Sequence, residues 1–215
     1  MSLRRHRVNN TPSAEDFDVL IVGAGISGIG AAYHLQQQCP DKRYVILESQ
    51  AGFGGTWRTH RYPGIRSDSD LFTFGYGFKP WMGKPIATAG EILSYMGEVI
   101  EENQLAQHIR YQHAISTAAW DSGAQRWLIT ATNQATGEAV QIRAKFLWMC
   151  QGYYRHSEGY TPEWPGLANF KGTVVHPQTW PEGMDLPGKQ VVVIGSGATA
   201  ATLLPSLAGQ CAHVA

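Results

Sequence analysis

Gly23-Ala24-Gly25-Ile26-Ser27-Gly28 stands between a β-branched run and a helical stretch, and Glu48 follows Gly28 by 20 residues at the end of the next apolar run. Each glycine answers a different need of a bound pyrophosphate. Gly23 permits a tight turn, Gly25 lets backbone amides approach the phosphates, and Gly28 allows helix and strand to pack closely. Ile26 and Ser27 lie at the helix start, whose partial positive charge stabilises an anion, and Glu48 can accept hydrogen bonds from ribose hydroxyls. An ordinary glycine turn with a chance acidic residue is the competing account, and the strand-helix-strand context argues against it.

Gly195-Ser196-Gly197-Ala198-Thr199-Ala200 repeats the pattern after a second valine-rich run, with alanine in the third place. A second dinucleotide site is the direct inference. One chain with two such sites can place a flavin next to a nicotinamide that reduces it. The residue that would read the second ribose belongs about 20 positions after Ala200, and 15 residues follow it, so the motif does not distinguish NADP from NAD.

These residues need elements to hold them. Residues 1–15 carry Arg4, Arg5, His6 and Arg7 without apolar periodicity and read as a disordered tail. Residues 17–22 form a short strand, 27–38 a helix with Ile29, Ala32 and Leu35 on one face, and 44–48 a second strand: the parallel crossover unit. Residues 51–88, rich in Gly, Pro and aromatics, read as an irregular stretch lining a site. The spacing of Ile92, Met96, Val99 and Ile100 predicts a helix over 89–103. Strands follow over 108–120, 126–132 and 138–150, with turns at Asp121-Ser122-Gly123 and Thr136-Gly137, a meander inserted in an α/β pattern. Residues 151–189 read as a connection with four X-Pro steps, then a strand over 190–194 and a helix over 198–207 ended by Gly209. Residues 190–215 fall short of the roughly 30 that a strand-helix-strand unit needs. The strand at 191–194 is therefore expected to lack neighbours and to leave an apolar patch exposed.

The composition narrows the partners. Seventeen basic and 17 acidic side chains cancel, and charged residues make up 16%, so no net field points to nucleic acid or an anionic membrane. No apolar run reaches the ~20 residues of a membrane span and no signal peptide is evident, so a cytoplasmic location is expected. Cys39, Cys150 and Cys211 show no paired spacing and are expected to be reduced, mostly buried thiols, with no metal site.

Three further stretches carry a resemblance. Gly54-Gly55-Thr56-Trp57, then Arg61-Tyr62-Pro63-Gly64 and Asp68, is similar to the active-site segment of flavin-dependent Baeyer-Villiger monooxygenases, a group that includes the ethionamide-activating enzymes. Phe170-x-Gly172-x-x-x-His176-x-x-x-Trp180-Pro181 resembles that family's fingerprint at every fixed position. Gly152-Tyr153-Tyr154 with Glu158-Gly159-Tyr160 and the two glycine motifs extends the likeness from Phe17 to the end.

The resemblance implies an α/β fold. It divides into a tail (1–15), the N-terminal part of an FAD-binding Rossmann-like domain with an inserted meander (16–152), a linker with the fingerprint (153–189), and an incomplete NADP-binding Rossmann domain (190–215). It implies FAD and NADPH as cofactors and O2 as oxidant. A small ketone would be converted to an ester or lactone, with sulfur-containing substrates as a second outlet. Relatives about twice as long imply that this chain is an N-terminal fragment, with the catalytic arginine beyond it. The alternatives are a non-catalytic nucleotide-binding remnant and a flavin monooxygenase acting on nitrogen or sulfur.

By the same resemblance, Gly55, Thr56 and Trp57 bind cofactor, Trp57 covering the flavin ring, with a core tryptophan as the competing account. Asp68 is the catalytic candidate, orienting a cation beside the flavin. Its competitor is a turn-capping aspartate, the reading given to Asp70. His176 is read as structural or motion-coupling rather than as a base, and Trp180 as the linker's anchor or part of the same device. Tyr153, Tyr154 and Tyr160 are read as packing residues.

Overall fold

The computed structural model describes residues 14–215; the tail expectation for residues 1–13 lies outside them. Glu15 belongs to a strand rather than to that tail. It pairs with Ile142 across the sheet, and its carboxylate receives both guanidinium nitrogens of Arg110 at 2.6 and 2.7 Å.

β1 (Glu15–Val22), α1 (Ile26–Gln38) and β2 (Tyr44–Leu47) make the crossover unit, with β1 and β2 parallel from Val19 opposite Tyr44 to Val22 opposite Leu47. All four β2 residues, Tyr-Val-Ile-Leu, are buried, as a strand covered on both faces requires. Single helical turns α2 (Thr56–Thr59) and α3 (Leu71–Phe74) punctuate the stretch expected to be irregular.

α4 (Ala89–Glu102) begins at a capping box. Thr88 Oγ1 accepts from the Glu91 backbone at 3.3 Å, and the Glu91 carboxylate accepts from the Thr88 backbone at 2.8 Å. Such a cap stabilises a helix by about 1 kcal/mol. Its Ile92, Met96, Val99 and Ile100 are buried with Ile29 and Leu35 of α1 against one face of the sheet.

The strand expected over 108–120 is two strands, β3 (Ile109–Arg110) and β4 (His113–Asp121). Gln112 between them takes a left-handed φ of 57°, which ends one extended run and starts another. β3 extends the parallel sheet beside β2, while β4 opens the antiparallel meander with β5 (Arg126–Asn133) and β6 (Ala139–Met149).

The resulting six-stranded order is β3-β2-β1-β6-β5-β4. Consecutive strands at opposite edges require the sheet to fold over on itself. β6 makes the join: residues 139–144 pair with β5, and residues 142–149 pair with β1. A second core fills the fold, with Phe17, Leu20, Val45 and Leu47 facing Ile129, Ala131, Ile142 and Ala144.

β7 (Gln190–Val191), α5 (Ala198–Leu207) and β8 (His213–Val214) close the chain. The expected strand is shorter, and it does have a neighbour. β8 pairs with it in parallel, and Val193 donates to the Ala215 carbonyl at 2.8 Å. α5 buries Leu203 and Leu207 against Tyr62 and Leu186, while Val192 and Ile194, just after β7, stay about 70% exposed.

Two smaller expectations are corrected. The three cysteines are free and partly exposed rather than mostly buried. Tyr153, Tyr154 and Tyr160 are exposed instead of packed, because the segment that carries them lies on the surface.

Candidate functional site

The first glycine motif is built by its neighbours. Gly23 donates to the Leu47 carbonyl at 2.8 Å and takes a φ of 96°, and a Cβ there would lie 2.8 Å from the Cys150 carbonyl oxygen. A Cβ on Gly28 would overlap the Gly23 carbonyl oxygen. At Gly25 the nearest obstacle is the Gly55 Cα at 3.7 Å, so that glycine keeps the surface open rather than the fold intact. Gly25 is also the N-cap of α1 and offers no side-chain cap, which leaves the helix's first amides free to receive an anion.

Glu48 does more than the motif predicts. It is buried, with one carboxylate oxygen accepting from Ala24 N at 2.8 Å and the other from Gln50 N at 2.7 Å. Ala24 in turn accepts from Gly54 N at 3.0 Å. The carboxylate thus clamps the glycine turn, and the turn clamps the Gly54-Gly55 loop, while Glu48 still lines the cavity beside it.

That cavity has a volume of about 730 Å³. Gly23, Gly25, Ile26 and Ser27 form one wall with Glu48; Gly55, Thr56, Trp57 and Asp68 form another. Ala198, Thr199 and Thr202 bring the start of α5 to the same space. Trp57 stands edge-on to Phe74 at 6.0 Å. The Asp68 loop is pinned by backbone bonds, Ser67 N to Ala87 O at 2.8 Å and Ala89 N to Ile65 O at 3.2 Å, and Asp68 itself is exposed on the wall. Asp70 caps α3 by accepting from Thr73 N at 2.9 Å.

Gly28 lies behind the motif, and Gly195, Ser196, Gly197 and Ala200 stand off the cavity. So do the four fingerprint residues. Phe170 is exposed, with Gly172 set against its ring. His176 caps a short turn, Pro177–Thr179, by accepting from Gln178 N at 3.1 Å. Trp180 packs with Met184 against the Tyr62, Leu203 and Leu207 cluster.

The sequence reading missed His60, Arg66 and His156, which line the cavity, and the β4 residues His113, Ala114, Ile115 and Ala118, which reach it because the sheet folds over. Arg66, two residues before Asp68, carries the kind of charge that attracts phosphate; no spacing rule marks the others. Among the described residues no cluster of His, Cys, Asp or Glu is arranged to hold a metal ion, and no helix is long and apolar enough to cross a membrane.

Residues 21–85 match the NAD(P)-binding Rossmann-like domain family, and residues 85–215 match the flavin-binding monooxygenase-like family. The chain is 55% identical over 202 residues to the FAD-containing monooxygenase EthA of Mycolicibacterium smegmatis, covering 93% of this chain and 41% of that protein. It is 49% identical to a probable FAD-binding monooxygenase AlmA of an Acinetobacter species, covering 92% and 40%. Among solved structures, an open form of cyclohexanone monooxygenase superposes with a TM-score of 0.80 at 30% identity, covering 94% of this chain and 39% of that one. An oxidised steroid monooxygenase bound to NADP does so at 0.77 and 32%, covering 93% and 38%. The chain spans about two fifths of the length of these proteins. With one family profile matching residues 85–215, more than half its length, the chain belongs to the flavin-binding monooxygenase-like family.

Proposed function

We propose that a protein carrying this chain is an FAD- and NADPH-dependent monooxygenase of the Baeyer-Villiger type, converting a small ketone to an ester or lactone. The observation that carries the reading is convergence: the first glycine motif, the Trp57 and Asp68 loop, and the start of α5 all line one cavity. The neighbour bound to NADP and the cyclohexanone monooxygenase structures support it.

The residues present fit an FAD pyrophosphate. Gly25 and Gly55 leave the turn bare of side chains, and the uncapped start of α1 presents amides to a phosphate. Glu48 holds that turn and lines the cavity beside it, which supports its role as the carboxylate that meets a ribose. Bound there, FAD would pass two electrons from NADPH to O2, giving one oxygen atom to the ketone and the other to water. Trp57 offers an aromatic face to a planar ring. Asp68, exposed on the wall, can orient a cation and bias the protonation of a reacting oxygen. The start of α5 lines the same cavity through Ala198 and Thr199, which supports a second nucleotide held within reach of the first, as hydride transfer demands.

Incubation of the flavin-loaded, whole-length protein with NADPH, O2 and a cyclic ketone tests the proposal. Lactone in stoichiometric balance with NADPH consumed is the expected result. Oxygenation confined to amines or thioethers would replace it with the nitrogen- or sulfur-oxygenating reading, and flavin-free protein that oxidises nothing would point to the non-catalytic one.

A further inference from the structure

Tyr62, Pro63, Gly64 and Ile65 make a tight turn, closed by Ile65 N donating to the Tyr62 carbonyl at 3.2 Å. Pro63 and Gly64 hold its two central positions, and Gly64 takes a left-handed φ of 77°, the pattern of a type II turn.

On one side the turn is tied to the start of α4. Ala89 N donates to the Ile65 carbonyl at 3.2 Å, Ser67 N to the Ala87 carbonyl at 2.8 Å, and Ala87 N to Ser67 Oγ at 3.2 Å. Ser67 and Ala87 are buried, and Ala87 belongs to the same core as Ala24 and Ile29. The turn is thereby fixed to the part of the fold that carries the first glycine motif.

On its other side the turn meets α5. Tyr62 and Ile65 pack with Leu203 and Leu207. A Cβ on Gly64 would lie 1.9 Å from Ser206 Oγ, 3.0 Å from Ser206 Cβ and 3.2 Å from the Thr202 carbonyl oxygen. The Ser206 hydroxyl is itself held, donating to that Thr202 carbonyl at 3.0 Å. Turning the hydroxyl away would leave the Ser206 Cβ and the helix backbone still in the way, so a side chain at residue 64 forces α5 back.

The site of this contact gives it leverage. Ser206 stands about 12 Å along the helix axis from Ala198. Ala198, Thr199 and Thr202 line the cavity together with Arg66 and Asp68, which directly follow the turn. A displacement at Ser206 therefore moves the second glycine turn relative to the first.

We propose that the turn at residues 62–65 is a joint between the two nucleotide turns, with Gly64 and Ser206 as positioning residues whose close approach sets where the start of α5 stands on the cavity wall. A glycine required only by its own turn is the competing account. The joint stands on packing alone; its consequence for hydride transfer rests on the monooxygenase reading.

Hydrogen–deuterium exchange on the ligand-free chain tests the joint. Asparagine tolerates a left-handed φ but carries a Cβ, so Gly64→Asn keeps the turn and crowds the helix. Protection of α5 amides should fall about tenfold, with β1 and α4 unchanged. In a Ser206→Gly background, which removes the opposing side chain, the same substitution should cost less than about threefold relative to Ser206→Gly alone. Ser206→Val crowds the contact from the helix side without touching the turn, and should reproduce the α5 loss even where Gly64→Asn does not fold. Equal losses in both backgrounds, undiminished α5 protection in Ser206→Val, or a loss spread evenly over β1 and α4 would overturn the joint.

In the whole-length, flavin-loaded protein mixed anaerobically with NADPH, Gly64→Ala should slow flavin bleaching at saturating NADPH by about tenfold or more, because misplaced reactants lose rate steeply. The half-saturating NADPH concentration should change less than about twofold, and adding Ser206→Gly should return most of the rate. An unchanged bleaching rate with a raised half-saturating concentration would overturn the positioning role. Parent protein that NADPH does not bleach would sink the monooxygenase reading and leave the joint to be decided by the exchange result.

Discussion

The two glycine motifs have the same spacing and different surroundings. In the first, a methyl on Gly23 would press on the Cys150 carbonyl and one on Gly28 would overlap the Gly23 carbonyl. In the second, nothing lies within 4 Å of a Cβ placed on Gly195 or Gly197, Gly195 being favoured by its φ of 139° rather than by crowding, and the third position is already Ala200, which is buried. The difference comes from the strands. The first motif leaves β1, which is flanked by β2 and β6, whereas β7 has β8 as its neighbour. A glycine requirement is thus partly a property of what packs beside the turn, and the same motif can be demanded by the fold in one place and by a ligand in another.

Gly28→Ala should break the comparison most visibly. The overlap is with backbone, which cannot swing aside, so a loss of about 3 kcal/mol is expected, read from the urea midpoint. A midpoint near the parent's would mean that α1 can shift away from β1. The same substitution at Gly25 separates ligand from fold: its nearest contact is an ordinary 3.7 Å, so stability should change by no more than about 1 kcal/mol while FAD affinity falls more than about tenfold. Equilibrium dialysis with FAD measures this, and parental occupancy in Gly25→Ala would remove the turn from the cofactor site.

Asp68→Ala, in the whole-length protein, should lower oxygenation by about a hundredfold with FAD binding unchanged, since an acid–base group commonly contributes that much. Flavin reduction and product formation would be followed separately, and equal loss of bound FAD and of product would favour a purely structural aspartate. Gly197→Ala should have the smallest effect on folding, within about 1 kcal/mol, seen as a shift of a few degrees at most in thermal unfolding. A loss comparable to that at Gly28 would show the second turn to be packed as tightly as the first.

Much of the framework was legible in local pattern. The 3.6-residue spacing over Ile92, Met96, Val99 and Ile100 foretold α4, the helix at residues 198–207 matches α5, and the turns at Asp121-Ser122-Gly123 and Thr136-Gly137 separate β4, β5 and β6. The strand-turn-helix run marked Gly23, Gly25 and Gly28 because glycine geometry at a phosphate turn is dictated within a few residues. Less legible was Glu48, read as a ribose ligand and found clamping Ala24, a contact 24 residues away in sequence.

By itself, the sequence determined which segments become helix and strand and where the two glycine turns fall. Those properties follow from periodicity and glycine stereochemistry, both short-ranged. Only the tertiary structure decided that β3 and β4, two residues apart, lie at opposite edges of a folded-over sheet, and that α5 and the Asp68 loop share a cavity with α1. Each of these depends on how distant apolar faces bury one another. Burial is non-directional and rewards area rather than sequence position, so no local pattern announces which remote residues it will bring together.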